Sequence, residues 1–218
     1  MPILPYCVFS ASLSLPEIVT GVQEAPIQRL EADDLAVLYS EAAVLSQDPG
    51  ELAQAAMTFQ STVQQVFGAG IVIGFRFPTL LDSVSDLQSH LSENALRYRT
   101  ALKLLNGMAQ MEVRLTRLGS GPSMEKESPT TGTVYLKARQ AEANEMSSAV
   151  EALKQSAGPL VHEWRHRENA GVSRYYALIP HEKAAEFKRL MGFVRLSGGI
   201  RAVISGPWPP SEFLPEPS

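Results

Sequence analysis

Apolar positions fall into blocks whose spacing changes along the chain. Tyr6–Ser10 and Leu35–Tyr39 are short runs rich in aliphatic and aromatic residues and predict two strands. Pro16, Gly21 and Pro26 punctuate the polar connection between them. Asp48-Pro49-Gly50-Glu51 predicts a helix start, with Asp48 as cap, Pro49 at the first helical position and Glu51 at capping-box spacing. Leu52, Ala56, Phe59, Val63 and Val66 follow at helical spacing, with Gly68 as the expected stop. Ile71–Phe75 is apolar throughout, as in a strand buried on both faces.

A long stripe comes next. Val84, Leu87, Leu91, Ala95, Tyr98, Leu102 and Leu105 predict one helix of about six turns, opened by Ser83 and Asp86 and closed at Asn106-Gly107. Met111–Leu118 alternates as a half-buried strand should. Residues 119–132 are rich in Gly, Pro and Ser and predict a surface loop. A helix carrying Met146, Ala149, Val150, Leu153 and Ala157 ends at Gly158-Pro159. Two strands, Leu160–Arg167 and Arg174–Ile179, flank a turn at Asn169-Ala170-Gly171. A helix with Phe187, Leu190, Met191 and Val194 and a last strand, Ile200–Ser205, complete the chain. From residue 111 the order is strand, helix, strand, strand, helix, strand, which is the split βαβ or ferredoxin-like arrangement. The fold class expected is α+β in two domains: an acidic α/β domain over 1–80, a bridging helix over 81–107, a ferredoxin-like domain over 108–205 and a Pro/aromatic segment over 206–218.

Charge supports that division. Residues 1–80 hold two basic and eight acidic residues, and residues 81–218 hold seventeen and fifteen. Neither half has a dense basic stripe, which argues against nucleic acid as the main partner. No window approaches the ~18 apolar residues of a membrane span, and Met1–Pro5 lacks the basic leader of a signal peptide. A soluble, cytoplasmic protein is expected. The lone cysteine, Cys7, excludes an internal disulfide framework and a cysteine-based zinc site, and reads as a small buried hydrophobe.

No catalytic constellation emerges. Nucleophile elbow, zinc-protease, P-loop and dinucleotide signatures are absent. His162 and His166 share a face of a predicted strand but lie roughly 13 Å apart, too far to hold one metal. Arg76 reads as a structural counter-ion for Asp33, Asp34 or Glu41. No catalytic, cofactor-binding or metal residues are assigned. The remaining feature is the tail, Gly206-Pro207-Trp208-Pro209-Pro210, with Phe213 beyond. Its prolines predict a stiff ribbon that does not continue the sheet. Trp208 and Phe213 are anchors of the kind that fill pockets.

These residues carry a resemblance. The tail is similar to the Gly-Pro-Trp-Pro-Pro-Tyr-Ser-Phe signature of the gas vesicle proteins GvpF and GvpL: Gly206 to Pro210 and Phe213 fit, and Ser211 and Glu212 stand where Tyr and Ser are usual. A second motif of that family, Val-Leu-Pro-x-Arg-Phe-Gly-Thr, resembles Ile71–Thr79, with Arg76, Phe77 and Thr79 kept and Pro78 replacing the glycine. Gly132-Thr133-Val134-Tyr135-Leu136 resembles its Gly-x-x-Tyr-Leu element. The resemblance covers nearly the whole chain. It implies a family-specific N-terminal domain, a modified ferredoxin-like C-terminal domain and a non-enzymatic role in gas vesicle assembly. The partners it implies are the small hydrophobic shell protein and other accessory proteins. The alternative is a diverged ferredoxin-like domain that senses a ligand or catalyses, recognisable by a polar cleft beside His162, His166 or Arg174. Placed after the last strand, the tail is expected to act as a strap closing that strand against the other domain.

Overall fold

The computed structural model describes residues 2–15, 17, 20–41, 45–117, 132–169, 172–196 and 199–215. Its contacts divide the chain into two compact units, Met1–Met108 with Trp208–Ser218, and Ala109–Pro207. The stretch 81–107, expected as a bridge, falls inside the first unit.

The first unit is built on a four-stranded sheet. Strands β1 (Ile3–Ser10), β2 (Gln28–Ala32), β3 (Leu35–Glu41) and β4 (Ile73–Gly74) lie in the order β2-β3-β1-β4. β1 pairs antiparallel with β3 from Ile3↔Glu41 to Ser10↔Leu35, with a register shift between Pro5 and Cys7. All of Ile3–Phe9 except Pro5 is among the most deeply buried apolar residues, and Pro5 is buried too. That is why the run carries no polar alternation. The apolar run Ile71–Phe75 supplies only the two-residue β4. The polar strand β2 pairs with β3 at the sheet edge, joined by a turn at Asp33, whose φ of 54° an aspartate tolerates.

Helix α1 (Pro49–Ala69) begins as expected, the Asp48 carboxylate accepting the Gly50 and Glu51 N–H groups at 2.9 and 3.0 Å. It runs through Gly68 and is capped at Gly70. The expected six-turn helix is instead two, α2 (Val84–Glu93) and α3 (Ala95–Leu104). Asn94 between them leaves helical geometry (φ −103°, ψ 8°), and both its backbone and side-chain N–H groups donate to the His90 carbonyl. An asparagine side chain competes for the helix's own acceptor and ends it.

The second unit has the order β5 (Met108–Arg117, its first residue belonging to the first unit), α4 (Gly132–Ala157), β6 (Glu163–Asn169), β7 (Val172–Pro180), α5 (Ala184–Phe193), β8 (Ile200–Trp208). Its sheet order is β6-β7-β5-β8. That connectivity and order are those of the split βαβ fold. Met111, Val113, Leu115, Ala177, Ile179 and Ile200 pack against Val150, Leu153, Phe187 and Met191 of the two helices, so both helices cover one sheet face. Most of the expected loop, and the turn residues Ala170 and Gly171, lie outside the described residues. Gly132 opens α4 instead of closing a loop.

β8 corrects one expectation. The strand does not stop at Ser205 but continues through Gly206 and Pro207 to Trp208. β8 is an edge strand, where a missing backbone donor costs no ladder hydrogen bond.

Candidate functional site

Two sequence motifs define the candidate site, and each sits on a different local device. The first is the turn Arg76-Phe77-Pro78-Thr79. The Thr79 N–H and hydroxyl both donate to the Arg76 carbonyl, at 2.8 and 2.5 Å. The Phe77–Pro78 bond is cis. Arg76 is exposed, and Phe77 and Thr79 are half-buried. Arg76 is not the counter-ion of Asp33 and Asp34; Arg99 takes both, at 3.4 and 2.7 Å. That guanidinium holds the Asp34 carboxyl below the usual carboxylate range.

Phe77 ties the turn to an aromatic column. Its ring lies 5.3 Å from Phe59, which stacks at 5.0 Å on Tyr6. The Tyr6 hydroxyl accepts the Val22 N–H at 2.8 Å and meets the Ser40 hydroxyl at 3.0 Å. Gly21 leaves room for it: a Cβ there would fall 2.1 Å from the Tyr6 oxygen. On the other side, Phe75 lies 5.6 Å from the His90 ring, and His90 Nε2 is 2.7 Å from the Tyr98 hydroxyl. Burial pushes the His90 pKa down and the Tyr98 pKa up. Sequence reading missed this pair, which spans the break at Asn94; its one signal is a histidine and a tyrosine eight apart on a single apolar stripe.

The second device is the tail. Gly206 adopts φ +114°, and a Cβ there would lie 2.8 Å from the Gln110 carbonyl oxygen, 3.0 Å from Met111 Sδ and 3.3 Å from Met111 Cα. Only glycine fits a strand end this close to β5. The Gly206–Pro207 bond is cis. Trp208 and Pro209 are half-buried, and Pro210 and Phe213 are buried. A short 3-10 turn, Ser211–Phe213, closes with the Ser211 N–H on the Pro209 carbonyl and the Phe213 N–H on that of Pro210. Tyr135 falls in the first turns of α4.

Neither device brings reactive groups together. Among the described residues no three His, Cys, Asp or Glu side chains are placed to hold a metal ion. Cys7 is fully buried, and burial pushes its thiol up, away from nucleophilic use. His166 stacks on Tyr175 at 4.4 Å, and His162 is exposed. The gap between sheet and helices lined by Val113, Val150, Leu153, Lys154, Trp164 and Tyr175 is too small for a water molecule. A cleft of about 350 Å³ in the first unit is bordered by Arg99 and Asp34, which are already paired with each other.

The molecule is thus an α+β protein of two antiparallel sheets, with a Gly-Pro-Trp-Pro-Pro segment whose first three residues close an edge strand. The model of the family "Gas vesicle synthesis protein GvpL/GvpF" matches residues 3–215, and the chain belongs to that family. Its fold is that of crystal structures of GvpF. The gas vesicle protein GvpF from Anabaena sp. PCC7120 superposes with a TM-score of 0.79 at 15% identity, covering 100% of this chain and 97% of that one. GvpF from Microcystis aeruginosa gives a TM-score of 0.76 at 13% identity, covering 99% of each. No curated protein matches in sequence.

Proposed function

We propose that this chain is a non-enzymatic accessory factor of gas vesicle assembly. It binds the small hydrophobic shell protein and other accessory proteins, as a minor shell-associated component or a chaperone-like factor in the cytoplasm. The match of the family model across residues 3–215 is the observation that carries this reading. No described helix is long and apolar enough to cross a membrane, which is compatible with it. A strongly apolar shell subunit exposes surface and strand edges that drive aggregation until they are covered. A folded protein that holds such a subunit before polymerisation keeps it available. Within this reading, exposed Arg76 and half-buried Trp208 are the motif residues a partner reaches, while Phe77, Thr79, Gly206, Pro207, Pro209, Pro210 and Phe213 maintain the surfaces that present them.

The test is co-expression with the shell protein followed by pull-down. Co-purification, with more shell protein in the soluble fraction, is expected. Absence of co-purification together with unchanged shell solubility overturns the proposal. Recovery of the chain in washed vesicles assigns it to the wall, and its absence there to assembly alone.

A further inference from the structure

The cleft of about 350 Å³ in the first unit lies where the β1–β3 ladder ends, at the Ser10↔Leu35 pair. Arg99, Leu102 and Lys103 share one face of α3 at helical spacing and form one wall, with Asn106 just past the helix. Leu35 and Ile71 join Leu102 as the apolar lining. Leu35 and Leu102 are buried, and Ile71 is half-buried. The rim is tied to sheet and helix at once: the Ala11 N–H donates to the Asp34 carbonyl at 2.8 Å, and Arg99 Nε to the Asp34 carboxylate at 2.7 Å.

A concave site with an apolar lining and a few polar groups is the form that small-molecule sites take, and this volume falls within their range of about 300–1,000 Å³. At roughly 30 Å³ per heavy atom, the share of a water molecule in the liquid, it has room for about a dozen. The two cations at its wall are not equivalent. Arg99 engages Asp34 and Asp33 through Nε and one terminal nitrogen, which leaves donors for a further acceptor. Lys103 is exposed and, among the described residues, pairs with no carboxylate. The Asn106 side chain adds a neutral amide donor.

We propose that this cleft binds a small apolar monocarboxylic acid, its carboxylate on Lys103 and the remaining Arg99 donors, its hydrocarbon body against Leu35, Ile71 and Leu102. The Lys103 ammonium matches a single negative charge. A phosphate dianion is disfavoured, because Asp34 and the carbonyl end of α3, which closes at Leu104, both oppose a second one. An amine would meet Arg99 and Lys103 as like charges. The site does not depend on the assembly role proposed above.

The experiment titrates octanoate into the full chain at neutral pH and constant ionic strength, read by saturation-transfer NMR. Octanol serves as the uncharged counterpart, and inorganic phosphate as a competitor. Octanoate is expected to bind more tightly than octanol and to resist displacement by an equal concentration of phosphate. Lys103→Gln is expected to weaken it about fivefold, the equivalent of one charge pair of about 1 kcal/mol. Ile71→Trp, which fills the cleft, is expected to abolish binding. Lys188→Gln, the same charge change on the exposed surface of the second unit, is expected to leave it unaltered. Circular dichroism checks that each variant folds, and Lys103→Gln decides the matter alone if Ile71→Trp does not. The proposal is overturned if octanoate does not bind, if octanol binds as tightly, if phosphate displaces octanoate, if a folded Ile71→Trp still binds it, or if Lys103→Gln and Lys188→Gln behave alike.

Discussion

Replacing Gly206 by alanine places a methyl carbon 2.8 Å from the Gln110 carbonyl oxygen and 3.3 Å from Met111 Cα, both backbone atoms of the neighbouring strand. Neither can move aside without moving β5, whose Met111, Val113 and Leu115 are fully buried. The residue also sits at φ +114°, a conformation that side-chain-bearing residues occupy at a cost of about 1–3 kcal/mol. Overpacking a filled site adds about 1–3 kcal/mol. The expected loss is therefore about 2–6 kcal/mol, a large share of the about 5–15 kcal/mol that holds a typical domain folded. Urea unfolding followed by circular dichroism and tryptophan fluorescence measures it. Gly68→Ala is the control, because that glycine lies exposed in α1 with nothing within 4 Å of an added Cβ. It is expected to gain about 0.5–1 kcal/mol from helix propensity. A Gly206→Ala variant within about 0.5 kcal/mol of the parent refutes the reasoning, since neither the backbone conformation nor the close approach would then constrain the strand end.

Tyr6→Phe removes the acceptor of the buried Val22 N–H and the partner of the buried Ser40 hydroxyl, and should cost about 1–3 kcal/mol in urea unfolding; an unchanged midpoint contradicts the network. His90 is held below its usual pKa by burial, so its neutral form favours the folded chain. That contribution is present above the unfolded pKa of about 6.5 and is lost as pH falls through the lower folded value. His90→Gln should flatten the decline of thermal stability between neutral and mildly acid pH, and an identical decline in both proteins would count against it. Trp208→Ala should lower stability by about 1–2 kcal/mol, as expected for a half-buried aromatic, and weaken shell-protein capture. Full stability with lost capture would make Trp208 an interface residue alone.

What the sequence revealed depended on how local the determinants were. α1 was legible because its cap, its proline and its apolar spacing all lie within its own span. The split βαβ order was legible because each element of the second unit carries its own period. β2 was not: Gln28-Arg29-Leu30-Glu31-Ala32 is polar because an edge strand is half-exposed, and only pairing with β3 makes it a strand. The break at Asn94 was hidden because an asparagine side chain that bonds the His90 carbonyl leaves the apolar stripe intact. Ile71–Phe75 misled in the opposite sense, its run being buried while only Ile73 and Gly74 pair. At the candidate site, the tail stood out by its own prolines and aromatics, whereas Phe77, Thr79 and Tyr135 were identifiable by resemblance alone. Their roles were not, because the ring of Phe77 on Phe59 and the approach of Gly206 to Gln110 join segments far apart in sequence.

The tail's composition follows from folding demands taken one residue at a time. Gly206 is required by a positive φ beside β5. Pro207 is tolerated because β8 lies at the edge. Pro210 and Phe213 are buried, and the carbonyls of Pro209 and Pro210 close the final turn. The positions where this chain departs from the family signature are Ser211, which is exposed, and Glu212, which is half-buried. At Ser211 a side chain meets solvent, whereas at Gly206 an added methyl group would strike the backbone of β5. A signature of this kind identifies the family through the geometry of a strand end, and does not by itself mark where a partner binds. Of its residues, Trp208 alone offers a large, half-exposed aromatic surface, so it is the member whose replacement separates a folding role from a binding one.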